Sequence, residues 1–144
     1  MKLNYVSKTN YELKHQTQYS AGLDLPAYIE GENSIILKQQ KMTLVPTGIY
    51  VEIPTGYFGM LCLRSSLAAK RGLMLGNGIG IIDSDYRGEI MLCIYNTNTN
   101  DVIIKNGERI GQLLLVPYVL CETFKVNELS VTIRGEGGFG STGN

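Results

Sequence analysis

The chain has 144 residues, of which 44% are hydrophobic, and this length suits one domain with its own core. Its 13 basic and 13 acidic residues cancel, and no basic stripe is present, which argues against nonspecific binding to nucleic acid. No apolar run is long enough to span a membrane, and the N-terminus lacks the apolar centre of a signal peptide, so we expect a cytoplasmic protein without membrane association.

Short apolar or alternating runs follow one another along the chain, separated by turn signals such as "PTG", "NTNTND" and "KNGE". The runs are rich in Val, Ile, Tyr and Thr, and none has helical periodicity over the length of a helix. This pattern predicts a single all-β domain, either a sandwich or a barrel. In chain order the predicted strands are "LNYV", "SIIL", "MTLVPTGIYVEI", "YFGMLCL", "EIMLCIYN", "DVIIK", "RIGQLLLVPYVL" and "ETFKV".

One short helix is predicted at "RSSLAAKRG", residues 64–72. Ser65 or Ser66 can serve as the N-cap, and Gly72 can close the C-terminal end. A plain capped turn is one interpretation. An anion site is the other, because backbone N–H groups and two hydroxyls would lie beside Arg64.

The segment "GNGIGIIDSDYRGE", residues 76–89, has the densest concentration of chemically useful groups. Its glycines allow close approach of the backbone to a ligand. Asp83 follows an apolar run and is expected at the mouth of an apolar pocket, where a carboxylate can position and deprotonate a water. The structural interpretation of "DSDYRG" is a hairpin turn between two strands. This interpretation is compatible with a catalytic role for Asp83.

Arginine, histidine and cysteine limit the chemistry further. Four of the five arginines lie in short segments beside glycine or serine and could bind phosphate through their guanidinium groups: Arg64, Arg87, Arg109 and Arg134. Each of them could instead pair with a nearby glutamate. His15 is the only histidine, which excludes a zinc site with two histidines and a triad with a core histidine as base; we expect it at the surface. The three separated cysteines, Cys62, Cys93 and Cys121, are expected to be buried free thiols in a reducing compartment.

Five segments occur in an order and spacing known from one family: "AGLDLPA" (21–27), "RSSLA" (64–68), "GNGIGIIDSDYRGE" (76–89), "RIGQLLL" (109–115) and "RGEGGFGSTG" (134–143). In these segments the chain resembles the homotrimeric dUTPases of the bacterial type. The resemblance implies an all-β fold, a distorted jelly-roll or β-clip barrel with one short helix. It also implies a single domain over 1–144, with a body over 1–133 and a flexible glycine-rich arm over 134–144.

The resemblance implies hydrolysis of dUTP to dUMP and pyrophosphate with Mg²⁺, which limits dUTP for DNA synthesis and supplies dUMP for dTMP synthesis. Asp83 would activate the water that attacks the α-phosphorus. Asp24 would hold waters bound to the metal, since the triphosphate supplies the direct ligands; a turn residue before Pro26 is its structural alternative.

The motif match also assigns the substrate contacts. Phosphates would be bound by Arg64, Ser65, Ser66 and Gln112, while Arg109 would brace the site through carboxylates. The nucleoside would be bound by Asn77, Ile81, Ile82, Tyr86 and Met91, with Tyr86 under the deoxyribose. The arm would contribute Arg134, Phe139, Gly140, Ser141 and Thr142, and each site would combine segments of three chains.

Two other functions remain open at this point. A dCTP deaminase, or a bifunctional relative, shares the fold and an "RSS" segment but lacks the "GGFGSTG" ending. A non-catalytic nucleotide-binding module could use the same scaffold, because a fold alone does not prove activity. Release of ammonia from dCTP would identify the first, and lack of pyrophosphate release from dUTP would favour the second.

Overall fold

The structure is a computed structural model, and it describes residues 1–138. Strands and one short helix make up its regular elements, which confirms the predicted mostly β fold. The strands are β1 (Asn4–Ser7), β2 (Leu23–Pro26), β3 (Ser34–Leu37), β4 (Met42–Pro46), β5 (Ile49–Glu52), β6 (Tyr57–Leu63), β7 (Leu73–Leu75), β8 (Gly80–Ile82), β9 (Met91–Asn96), β10 (Val102–Lys105) and β11 (Arg109–Pro117). The helix α1 is Ser65–Arg71.

The strands form four antiparallel sheets rather than one continuous sheet. Their strand orders are β1-β5, β3-β10, β2-β11-β6-β8 and β4-β9-β7. Within residues 1–138 these pairings do not close into a ring, so the barrel alternative gives way to open sheets packed on a common core. The core is aliphatic, and its fully buried members include Leu25, Leu37, Ile49, Ile94 and Ile110.

Most of the predicted strands are present, with three kinds of error. The predicted run "MTLVPTGIYVEI" is two strands, because "PTG" separates β4 from β5. Gly48 of "PTG" has a φ of 67°, which glycine adopts without strain. The strands β2, β7 and β8 were not predicted, because each is short and a glycine, which favours turns, precedes or begins it. "ETFKV", residues 122–126, forms no strand, since nothing in the described part of the chain pairs with it.

The helix lies close to its predicted position but begins differently. Arg64 occupies the N-cap with extended backbone and no side-chain cap, so the prediction of a serine N-cap is wrong. Ser65 and Ser66 are instead the first two helical residues, and both are exposed. Gly72 closes the helix in the left-handed conformation, with φ 59°, as predicted. Leu67 is the buried residue that attaches the helix to the core.

Within residues 1–138 the last regular element ends at Pro117, and the division into a body over 1–133 and an arm over 134–144 stays a prediction. The backbone N–H of Tyr118 still donates to the carbonyl of Gly56 at 3.0 Å. Beyond it, residues 119–136 are exposed, and their large apolar side chains have no cover from the body: Val119, Leu120, Phe124, Val126, Leu129, Val131 and Ile133. We call residues 119–133 the C-terminal segment.

The remaining sequence-based expectations give mixed results. All three thiols are free, but Cys121 is exposed and Cys62 and Cys93 are only half-buried, so the expectation of burial is wrong. Cys121 lies in the C-terminal segment, which the core does not cover. His15 is exposed, as predicted. In residues 1–138 we find no helix of the length and hydropathy that crossing a membrane requires.

Candidate functional site

The segment 76–91 runs between two sheets and is not a hairpin. Its strand β8 pairs with β6, with Ile82 opposite Gly59, whereas β7 and β9 pair with each other in another sheet. The hairpin interpretation of this segment is therefore wrong. Because the chain leaves one sheet after Ile82 and enters the other at Met91, the turn between them borders a crevice at the sheet edges.

This crevice is an apolar pocket of 280 Å³, and it brings together five of the predicted site residues. It is lined by Ile81, Ile82, Asp83, Tyr86, Glu89 and Met91. The Asp83 side chain is exposed at the pocket, and in residues 1–138 no group donates a hydrogen bond to its carboxylate. A carboxylate with free lone pairs beside an apolar surface can orient a water and accept its proton.

The turn that follows Asp83 is fixed by its own backbone and by Arg87. The N–H of Tyr86 donates to the carbonyl of Asp83 at 3.1 Å. The Arg87 guanidinium donates to the carbonyls of Ser84 and Tyr86, at 2.7 and 3.0 Å. Arg87, one of the arginines considered for phosphate, therefore stabilises the turn that presents Asp83.

A second group of predicted residues surrounds Asp24. The Asp24 side chain is 2% exposed, and its strand β2 pairs with β11 so that Gln112 lies opposite. Gln112 Nε2 donates to one carboxylate oxygen at 2.9 Å, and Arg109 Nη1 donates to the other at 3.0 Å. Arg64 Nε lies 3.8 Å from that second oxygen. Asp24 is thus a buried acceptor in a strand rather than a turn residue, and Arg109 is one of its hydrogen-bond donors.

Two residues of the N-terminal region extend this network and were not found from the sequence. Gln16 Oε1 accepts a hydrogen bond from Arg109 Nη1 at 2.8 Å. The Tyr11 hydroxyl donates to the carbonyl of Asp24 at 3.0 Å. Burial, and then the Asp24 charge, raise the pKa of Tyr11, so this hydroxyl remains a donor at neutral pH. Both residues lie in a polar stretch without any local motif, so only the fold reveals them.

In one chain the Asp83 pocket and the Asp24 cluster lie at opposite ends of β6. Ile82, next to Asp83, pairs with Gly59, whereas Arg64 follows Leu63, which pairs with Gly111. The five residue steps from Gly59 to Arg64 correspond to about 17 Å of strand. The predicted nucleoside and phosphate contacts of a single chain therefore do not form one continuous site.

The other predicted contacts lie outside both groups. Asn77 is exposed in the turn before β8, where its carbonyl accepts the N–H of Ile79 at 2.7 Å. Arg134 is exposed, and its Nε donates to the carbonyl of Gly137 at 2.8 Å within the same turn. Phe139, Gly140, Ser141 and Thr142 lie outside the described residues.

Comparison with known proteins decides the family. The dUTPase family model matches residues 11–143, which is nearly the whole chain. The chain belongs to the dUTPase family. Among curated members of that family it is 45% identical over 144 residues to the deoxyuridine 5'-triphosphate nucleotidohydrolase of Finegoldia magna, with 99% of each chain covered. It is also 45% identical over 129 residues to the enzyme of that name from Escherichia phage T5, with 87% of this chain and 86% of the relative covered.

Solved dUTPase structures share the fold of this chain. The Staphylococcus bacteriophage 80alpha dUTPase with dUPNHPP superposes with a TM-score of 0.87 at 28% identity, and 99% of each chain is covered. The dUTPase from Streptococcus mutans has a TM-score of 0.73 at 30% identity, with 83% of this chain and 98% of that chain covered. The jelly-roll fold implied by the sequence segments is thereby confirmed.

In this dUTPase-family chain, Arg109→Ala should lower stability more than the loss of an exposed ion pair does. Asp24 would remain buried with one fewer donor, and we expect a loss of about 2 kcal/mol in the free energy of unfolding. Urea denaturation measures it. Lys14→Ala is the control, because its pair with Glu12 is exposed to solvent and should contribute little to stability. Equal losses in the two variants would contradict a structural role for the Arg109–Asp24 pair.

Proposed function

We propose that this chain hydrolyses dUTP to dUMP and pyrophosphate. Asp83 orients and deprotonates the water that attacks the α-phosphorus, and pyrophosphate leaves in line with it. The observation that carries the proposal is the exposed Asp83 carboxylate at an apolar pocket shared with Tyr86 and Met91, in a chain of the dUTPase family. Such an activity keeps dUTP from DNA synthesis and supplies dUMP for dTMP synthesis in the cytoplasm.

The pocket beside Asp83 takes the nucleoside in this proposal. The backbone around Ile81 and Ile82, together with Asn77, reads the uracil edge, and a wrong base leaves polar groups unpaired at about 1–3 kcal/mol each. The ring of Tyr86 lies under the deoxyribose and excludes a 2′-hydroxyl. Met91 lines the same pocket, where its exposed thioether adds apolar surface for the ligand.

The phosphates interact with the second group of residues in this proposal. Arg64, Ser65 and Ser66 at the start of α1 and Gln112 on β11 provide guanidinium, hydroxyl and amide donors. Gln112 already points an N–H at Asp24, so the same amide can turn to a phosphate oxygen when substrate arrives.

Mg²⁺ fits an indirect mode of binding. Residues 1–138 contain no group of three or more His, Cys, Asp or Glu side chains that could hold a metal, so the triphosphate would supply the direct ligands. A carboxylate offers about four lone-pair directions, and Asp24 uses two of them for the hydrogen bonds from Gln112 and Arg109. Asp24 can therefore accept a hydrogen bond from a metal-bound water, and the ion would neutralise phosphate charge.

We propose a homotrimer in which Asp83 of one chain works with Arg64 of a neighbour. The separation of the two groups along β6 supports this, because a dUTP bound at one pocket would need the phosphate donors of another chain. Exposed apolar side chains support it too. On the outer face of the β4-β9-β7 sheet, Met42 and Leu44 are 61% and 60% exposed, and the C-terminal segment is uncovered. Apolar surface of this kind typically marks an interface.

The glycine-rich arm completes the site in this proposal. Phe139 stacks on the uracil, a type of contact worth about 1–3 kcal/mol. Arg134, Gly140, Ser141 and Thr142 surround the γ-phosphate with charged, hydroxyl and backbone donors. Closure of the arm would exclude water other than the nucleophile.

A pyrophosphate-release assay with dUTP tests this function. We expect turnover with Mg²⁺ and loss of turnover when EDTA is present in excess, because the ion neutralises the phosphate oxygens. Ammonia release from dCTP, followed in parallel, should stay at background. A folded protein without dUTP turnover would contradict the proposal, and ammonia release would favour a deaminase.

A further inference from the structure

Glu89, at the back of the Asp83 pocket, is connected to Tyr86 by its backbone and to three other groups by its side chain. The Glu89 carbonyl accepts a hydrogen bond from the Tyr86 hydroxyl at 3.2 Å. One oxygen of its carboxylate accepts the N–H of Gly48 at 2.8 Å. The other accepts Lys8 Nζ at 3.0 Å and the Tyr50 hydroxyl at 3.2 Å. The residue that receives the Tyr86 hydroxyl is therefore held to the turn between β4 and β5 and to the residue that follows β1.

Lys8 makes further contacts of its own. Its backbone N–H donates to the carbonyl of Gly48 at 2.8 Å, and its ammonium lies 5.8 Å from the ring centre of Tyr28 and 5.7 Å from that of Tyr50. The Glu89 side chain is only 11% exposed. Burial alone would raise the pKa of Glu89, but the Gly48 N–H and the Lys8 ammonium outweigh it and hold this pKa below its ordinary value. Glu89 is thus a charged, fixed anchor at neutral pH.

Gly88 controls the position of Tyr86 from the other side. A Cβ atom at Gly88 would lie 2.2 Å from the Tyr86 hydroxyl oxygen and 2.4 Å from the ring carbon that bears it. Atoms cannot approach so closely, so any larger residue would displace the ring. The φ of Gly88 is not in the left-handed region, and the requirement for glycine is therefore steric rather than conformational.

We propose that Gly88 and Glu89 are positioning residues that determine sugar specificity by holding the Tyr86 ring in place. The inference rests on the proposed function, in which that ring excludes the 2′-hydroxyl of ribose. Gly88 leaves space for the ring, and the anchored Glu89 carbonyl receives its hydroxyl. A ring freed from either restraint can move away from the sugar, and the pocket then admits UTP.

The test compares kcat/KM for dUTP and UTP in Gly88→Ala and Glu89→Gln. Glutamine has the size of glutamate but its amide nitrogen cannot accept a hydrogen bond from Lys8. We expect the preference for dUTP to fall about tenfold in each variant. The kcat for dUTP should change much less than the preference, because the hydrogen bonds of the Glu89 carboxylate do not involve the Asp83 carboxylate. A purely structural role would instead lower the amount of active enzyme and leave the preference unchanged.

Asp101→Asn is the matched control, and Lys8→Met is the milder variant. Like Glu89, the Asp101 carboxylate accepts one hydrogen bond from a lysine, Lys38 Nζ at 2.8 Å, and one from a backbone N–H, that of Gln39 at 3.0 Å. Asp101 does not line the Asp83 pocket. Asp101→Asn should retain the wild-type preference, and an equal fall there would overturn the inference. Lys8→Met should lower the preference for dUTP, as Glu89→Gln does. If Gly88→Ala and Glu89→Gln fail to fold, the result for Lys8→Met tests the inference in their place.

Tyr86→Ala separates this inference from the function on which it rests. If Tyr86→Ala lowers the preference while folded Gly88→Ala and Glu89→Gln keep it within about twofold of wild type, the positioning role is wrong and the sugar-excluding role of Tyr86 stands. If Tyr86→Ala also leaves the preference unchanged, the sugar-excluding role itself is wrong, and the inference fails with it.

Discussion

Asp83→Asn is expected to lower dUTP turnover about a thousandfold while the protein still folds and binds dUTP. Asparagine has nearly the same shape but cannot accept a proton from water. Little structure should be lost, because no group in residues 1–138 donates a hydrogen bond to the Asp83 carboxylate. Pyrophosphate release measures the turnover. Calorimetry measures the binding of dUTP, because the variant hydrolyses dUTP too slowly to consume it during the titration.

Asp85→Asn is the matched control for this result. Asp85 is also exposed, lies two residues away in the same turn, and does not line the pocket that contains Tyr86 and Met91. Its turnover should stay within a few-fold of wild type. If both variants lost the same amount of turnover, the activity would depend on the negative charge of the turn and not on Asp83 as a general base. Near-normal turnover of Asp83→Asn would exclude Asp83 as the base.

Mixing two inactive variants should restore activity if the active site is shared between chains. Asp83→Asn removes the proposed base, and Arg64→Ala removes a proposed phosphate donor some 17 Å of strand away in the same chain. In trimers formed at random from equal amounts, one site in four combines an intact Asp83 with an intact Arg64 from the neighbour. We therefore expect about a quarter of the wild-type turnover after joint refolding.

Two variants from the same group provide the control for that mixture. Arg64 and Gln112 both lie around Asp24 in one chain, so mixed Arg64→Ala and Gln112→Ala chains should gain no activity over the separate variants. Light scattering should report three chains per particle in every preparation. Failure of the Asp83→Asn and Arg64→Ala mixture to recover any turnover, in confirmed mixed trimers, would assign both residues to the same chain's site.

The pocket illustrates how much of the site local sequence can reveal. Ile81, Ile82, Asp83 and Tyr86 lie within six positions of one another, and their motif by itself predicts a shared ligand. Gly88 and Glu89 belong to the same motif, yet their contacts with Tyr86 and Lys8 depend on how the chain folds. Lys8 is 81 positions from Glu89, and no local pattern connects them.

The Asp24 cluster shows why distant contacts escape such a prediction. Arg109 and Gln112 reach Asp24 across 85 and 88 positions of sequence. They meet it only because β2 pairs with β11 in one particular register. A shift by one residue would turn the Asp24 side chain to the other face of the sheet. From the sequence alone, the same aspartate could equally be a turn residue.

By itself, the sequence determined the elements that depend on neighbouring residues. Alternation along β9 places Leu92 and Ile94 in the core and exposes Met91, and Gly72 ends the helix by its own backbone freedom. Its five motif segments also determined the family. Only the tertiary structure decided that β8 and β9 belong to different sheets, that Asp24 is buried between arginines, and that Asp83 and Arg64 lie apart. These features depend on pairing and burial between distant segments, which are set by the packing of the whole chain.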